Sequence, residues 1–122
     1  MTQQGFNEYL HTVYGYQTGT AKSYITAINI IDELFKYDDV FHLKGKSIIT
    51  ISDFELLSRI EEFIRAQQSL YKKGENSFFK NININQRSYP GRGFCSAAIK
   101  QLLEYYIITH LKKSMESIER KA

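Results

Sequence analysis

Apolar residues recur along this chain at intervals of three and four, the spacing of one face of an α-helix. In residues 5–14, Phe6, Tyr9, Leu10 and Val13 share such a face, which predicts a short amphipathic helix. Residues 15–20 (GYQTGT) break it with two glycines. Thr18 or Thr20 is expected to cap the next helix, because a hydroxyl oxygen accepts a free backbone N–H of the first turn. Over 21–36, Tyr24, Ala27, Ile28, Ile31, Leu34 and Phe35 form a stripe wide enough for a core-facing helix. Residues 37–46 read as a polar connection, with His42 a surface or capping residue and Asp38-Asp39 solvated turn residues.

Residues 47–51 (SIITI) are β-branched and predict a short edge strand, with residues 82–85 (ININ) the one comparable partner. At most this gives a two-stranded ribbon, too little to found a sheet. Ser52-Asp53-Phe54-Glu55 has the form of a capping box, with Ile51 and Leu56 as its hydrophobic staple. The helix it starts is predicted over 53 to 71, burying Leu56, Leu57, Ile60, Phe63 and Ile64 and turning Glu61 and Glu62 to water.

Residues 72–93 form the longest irregular stretch, with three of the seven glycines and the one proline. A loop of that length in a compact domain is usually functional or disordered. Ser77-Phe78-Phe79 predicts a helical turn that plugs the core. The last helix starts near Phe94. Its first half is apolar almost all round and reads as central, with Ser96, Ala97 and Ala98 small enough for close packing. Its last turns are polar, with Glu116 and Arg120 at the favourable i, i+4 spacing, and read as projecting beyond the domain or leading into a neighbour. The expected fold is all-α: one domain over 1–122, a compact bundle of about four main helices with a long basic loop before the last.

Length agrees with this, since 122 residues suit one domain with its own core. A single cysteine excludes an internal disulfide, and Cys95 reads as a small buried apolar residue. No apolar run approaches the ~18 residues of a membrane span. No basic stretch followed by an apolar block marks a secretory signal, so a cytoplasmic location is expected.

Charge changes the picture more. Residues 1–62 carry five basic and nine acidic side chains, a net of −4. Residues 63–103 carry Arg65, Lys72, Lys73, Lys80, Arg87, Arg92 and Lys100 against Glu75 alone, a net of +6. Residues 104–122 add four basic and three acidic groups, a net of +1. A basic segment of this kind marks either a solvated face or a surface for a polyanion.

Catalytic constellations are missing from the sequence. His11, His42 and His110 are far apart, and no Cys pair or His-x-x-x-His spacing exists, so no metal centre or cofactor is expected. Gly91-Arg92-Gly93 precedes a helix and could lend it a phosphate at its N-terminus, but it is not a phosphate-loop motif. Glu119-Arg120-Lys121 has the form of a nuclease triplet but lies on a charged tail.

Two stretches resemble a known module. One is Gly19-Thr20-Ala21-Lys22-Ser23-Tyr24-Ile25-Thr26-Ala27-Ile28, followed by Ile49-Thr50-Ile51-Ser52-Asp53. The other runs Arg92-Gly93-Phe94-Cys95-Ser96-Ala97-Ala98-Ile99-Lys100-Gln101-Leu102-Leu103-Glu104-Tyr105-Tyr106. Together, over residues 18–106, they resemble the N-terminal helical module of bacterial restriction proteins. That module precedes HNH or other restriction nuclease domains, or modification-dependent restriction GTPases. Cys95 stands where that family usually has tyrosine. The first stretch is also similar to the core-binding domain of tyrosine recombinases. Both resemblances imply a non-catalytic grip on DNA beside a catalytic domain.

The leading expectation is therefore a non-enzymatic module that binds double-stranded DNA through residues 72–100. Lys72, Lys73 and Lys80 would neutralise phosphates, while Arg87 and Arg92 could also reach base edges, since a guanidinium bonds guanine bidentately. Tyr89 would stack or hydrogen-bond to the backbone, and Lys22 and Lys100 would join the face. The partner would be a nuclease or GTPase domain in the same or another chain. The alternative is a protein-interaction or homodimerisation module docking through Tyr105, Tyr106, Ile107, Ile108 and Leu111 of the last helix.

Overall fold

The computed structural model describes the backbone of residues 1–121 and the side chains of residues 1–116. The Glu119-Arg120-Lys121 triplet and the Glu116–Arg120 pair thus lie outside the described side chains. Among the described residues, five α-helices follow one another: α1 (Gln3–Tyr14), α2 (Thr20–Tyr37), α3 (Phe54–Lys72), α4 (Ser88–Gly91) and α5 (Phe94–Lys121). Single 3₁₀ turns lie at Ile48–Thr50, Phe78–Asn81 and Ile84–Gln86. The fold is all-α, and four of the helices are long.

Each long helix forms because its apolar stripe has somewhere to go. Phe6 and Leu10 of α1 are fully buried, whereas Val13 is 49% exposed and leaves the expected stripe. The α2 stripe from Ala27 to Phe35 is buried, with Ile30 added to it. On α3, Leu57, Ile60 and Ile64 are buried and Leu56 and Phe63 half-buried; Glu61 is drawn to Arg65 at 3.4 Å. The first turns of α5 pack between α2 and α3, with Cys95, Ala98, Ile99 and Leu102 fully buried, as its all-round apolar character predicts. α1 closes one side through Phe6 and Tyr9, whose rings lie 5.8 and 5.2 Å from that of Tyr105 on α5.

The 72–93 segment is less irregular than expected. Phe78 and Phe79 do plug the core, and the Phe78 ring lies 4.7 Å from that of Phe35 and 5.3 Å from that of Phe63. The remainder winds into a 3₁₀ turn and the one-turn α4, whose Pro90 is buried. Gly93 then takes φ +84°, a left-handed turn that starts α5 and that a side chain would strain.

Two local expectations fail for tertiary reasons. Residues 48–50 are a 3₁₀ turn and 84–86 another, so no strand forms among the described residues. Asp32 of α2 accepts the Ser47 hydroxyl at 2.5 Å and the Ile48 N–H at 2.9 Å. That anchor points Ile48 and Ile49 into the core. The capping box does not close either: Asp53 is the N-cap of α3, accepting from the amides of Glu55 at 3.0 Å and Leu56 at 3.3 Å. At α2 the N-cap is Gly19, and Thr18 accepts the Thr20 amide at 3.3 Å.

Beyond Tyr106, α5 leaves the core. Tyr106 is its last buried residue among those described, and residues 110–116 are all exposed. The Tyr106 hydroxyl donates to the Ser52 carbonyl at 2.7 Å, which ties this exit point to the start of α3.

Candidate nucleic-acid interface

The cations of residues 72–100 are exposed, and the fold sorts them into groups. Lys72 and Lys73 end α3, and the Lys72 ammonium lies 3.5 Å from where a Cβ on Gly93 would stand. The end of α3 and the Arg92-Gly93 turn are therefore one locality, with Lys72, Lys73 and Arg92 around it. Lys100 is exposed one turn beyond Ser96, which faces α3. Lys80 and Arg87 bracket in the chain the segment 81–86, which borders the C-terminal half of α2. Among the described residues, none of these six cations forms an ion pair. Arg65 differs: Glu61 holds it.

Lys22 stands apart. It lines an open groove between α1 and α2 with Gln3, Gln4, Asn7 and His11, and none of the other expected contact residues borders that groove. Tyr89 is half-buried, its ring 5.8 Å from that of Phe94, which in turn meets Tyr24 at 6.2 Å. Stacking of Tyr89 on a base competes with this packing.

At the N-terminus of α5, which the Gly91-Arg92-Gly93 turn suggested as a phosphate seat, one first-turn amide is taken from within. Gln68 of α3 is 5% exposed; its Oε1 accepts the Ser96 amide at 3.1 Å and its Nε2 donates to the Ser96 hydroxyl at 2.8 Å. Arg92 and Lys72 thus sit beside a helix end whose Ser96 amide is already occupied. Gln68 was not legible in the sequence, because its partner is 28 residues away.

The sequence pattern also gave little sign of a groove of about 470 Å³ between α2 and residues 81–86. Ile30, Leu34 and Ile82 give it an apolar side; Glu33, Tyr37, Asn81, Asn83 and Gln86 give it a polar one. The asparagine-rich run ININ was its signal.

Elsewhere the chemistry is structural. Burial pushes the Cys95 thiol up to about 12. No three His, Cys, Asp or Glu side chains gather among the described residues as a metal site would need. No described helix is long and apolar enough to cross a membrane. No protein-family model, curated protein or solved structure matches the chain.

Proposed function

We propose that this chain is a non-catalytic DNA-binding module that grips the phosphate backbone of a duplex through residues 72–100. One observation carries the reading. Lys72, Lys73, Lys80, Arg87, Arg92 and Lys100 are exposed and, among the described residues, unpaired, with Glu75 the one acid in residues 63–103. Exposed cations without partners are available to displace the counterions of phosphates, which is the main source of sequence-independent affinity. Lys72, Lys73 and Arg92 supply the densest charge, and Lys80 and Arg87 extend it toward α2. Tyr89 adds a hydroxyl for the backbone.

The two motifs that resemble restriction-protein modules favour a role in a bacterial restriction or related DNA-processing system, in the cytoplasm. A nuclease or GTPase domain, in the same or another chain, would then do the chemistry. The test is binding to a duplex at two salt concentrations, for the wild type and for Arg87→Ala/Arg92→Ala. The reading expects measurable affinity at low salt, a steep loss with salt and a clear weakening in the double variant. Negligible affinity at low salt, or a double variant that binds as well as the wild type, refutes it.

The distal part of α5 supports a second reading, docking of a partner protein or a second copy. Ile107 and Ile108 are each 49% exposed, Leu111 60% and Met115 56%, whereas Tyr106 is buried and Tyr105 packs on Phe6 and Tyr9, so the two tyrosines expected on this face belong to the core side instead. Sedimentation that finds a salt-insensitive dimer, with no DNA binding, would favour it.

A further inference from the structure

The groove between α2 and residues 81–86 has a chemistry different from that of the basic surface beside it. Its apolar side is the flank of Leu34, Ile30 and Ile82. Tyr37, the last residue of α2, lines it and is 76% exposed, an aromatic ring that the core does not use. The amides of Asn81, Asn83 and Gln86 offer donors and acceptors together. Asn83 is fixed in place, since its Oδ1 accepts the Asn85 amide at 3.0 Å and leaves its Nδ2 to donate. Glu33 contributes a carboxylate, one oxygen of which holds Lys36 at 2.8 Å.

This set selects its occupant. A carboxylate on the lining repels a phosphate. A purely apolar ligand would make no use of the three side-chain amides on the lining. What matches is a flat, neutral ring with an apolar face and donors and acceptors on its edge, which describes a nucleobase. The chain neighbours on the two sides, Lys80 and Arg87, are exposed cations without ion pairs among the described residues. They adjoin Asn81 and Gln86 directly in the chain, and cations there are available to the phosphates flanking such a base.

We propose that this groove receives one unstacked base of the bound DNA, with Tyr37 on its face and Asn81, Asn83 and Gln86 on its edge. The free oxygen of Glu33 favours bases that carry an exocyclic amino group. The inference rests on the DNA-binding reading above and adds a subsite to it. Base–aromatic stacking is worth about a tenfold gain in affinity or more.

The test compares three duplexes of one length by fluorescence anisotropy: fully paired, with a single bulged adenosine, and with a bulged abasic site. The adenosine bulge is expected to bind about tenfold tighter than the other two. Tyr37→Ala and Gln86→Ala should each reduce that gain and leave the affinity for the paired duplex unchanged. Tyr37 is exposed, so its removal does not threaten the fold. If the paired duplex binds but the adenosine bulge gains nothing, or gains no more than the abasic one, the groove is not a base site and the DNA-binding reading stands. A gain that survives both substitutions has the same meaning. If no duplex binds, the DNA-binding reading falls and takes this inference with it.

Discussion

Gln68 holds Ser96 by both ends of its amide, and through that pair α3 fixes the start of α5. The carbonyl oxygen accepts the Ser96 N–H at 3.1 Å, and the amide nitrogen donates to the Ser96 hydroxyl at 2.8 Å. Gln68 is 5% exposed, so neither group has water as a substitute. Gln68→Leu keeps the volume and removes both bonds. It should cost about 1–3 kcal/mol, because a buried polar group left unmatched loses its full solvation. Ser96→Ala removes only the hydroxyl and should cost about 1 kcal/mol. Urea denaturation of both singles and the double variant checks this. Coupling between the two should appear as a double variant less destabilised than the sum of the singles.

Cys95 should behave as a core atom. It is fully buried, and burial pushes its thiol up to about 12. An unfolded cysteine titrates near ~8.5. The folded thiol is thus the protonated one across the physiological range, and the thiolate is the nucleophile. A thiol reagent at about pH 8, near that unfolded value, should label the folded chain far more slowly than the urea-unfolded chain. The sign of the linkage follows from the raised value. The contribution of Cys95 to stability is complete below pH ~8.5 and declines as pH rises through that range toward its folded value. Rapid labelling under native conditions would contradict the burial.

Asp39 organises the connection between α2 and the Ile48–Thr50 turn. Its carboxylate accepts the amides of Leu43 at 2.6 Å and Lys44 at 2.9 Å. These bonds, the Lys44 amide first among the causes, hold its pKa below the ordinary carboxylate range. A depressed folded pKa stabilises the loop above the unfolded value of ~3.9, and the effect is lost as pH falls through the folded one. His42 and Lys44 both take φ 57°, a left-handed conformation that this clasp maintains. Asp39→Asn, or acidification below pH ~4, should speed hydrogen exchange at Leu43 and Lys44 ahead of the core helices. Unchanged exchange at those two amides would show that the clasp is not what orders the loop.

The parts of this structure that the sequence announced are those set by spacing along one helix. The stripes of α2 and α3, the Phe78-Phe79 plug and the start of α5 at Phe94 all follow from local pattern. What escaped was set by partners far away in the chain. Ile48 and Ile49 read as a strand by propensity, yet Asp32, fifteen residues before Ser47, turns them into the core. Ser52 and Asp53 are both good caps, and only the backbone decides that Asp53 reaches the amides. Nothing in the residues around Gln68 marks its role, since its partner Ser96 lies 28 residues on. For the candidate interface, the charge of residues 63–103 was plain in the sequence. That Lys22 faces α1 was not, because it depends on which side of α2 meets α1.

That orientation of Lys22 gives the DNA-binding reading its sharpest internal control. Removing one phosphate-binding cation should flatten the slope of log K against log salt by about 0.9. Lys72→Ala and Lys73→Ala should each do so and weaken all duplexes alike, because a lysine at a phosphate carries no sequence information. Arg87→Ala and Arg92→Ala should also flatten the slope. Where a guanidinium reaches a guanine edge, the variant should in addition lose about 1–3 kcal/mol of discrimination at that position. Lys22→Ala removes the same unit of charge from a groove that none of these residues borders, and it should leave the slope unchanged. Equal effects of Lys22→Ala and Lys72→Ala would mean that DNA responds only to net charge. The localised grip at the α3–α5 junction would then have to be abandoned.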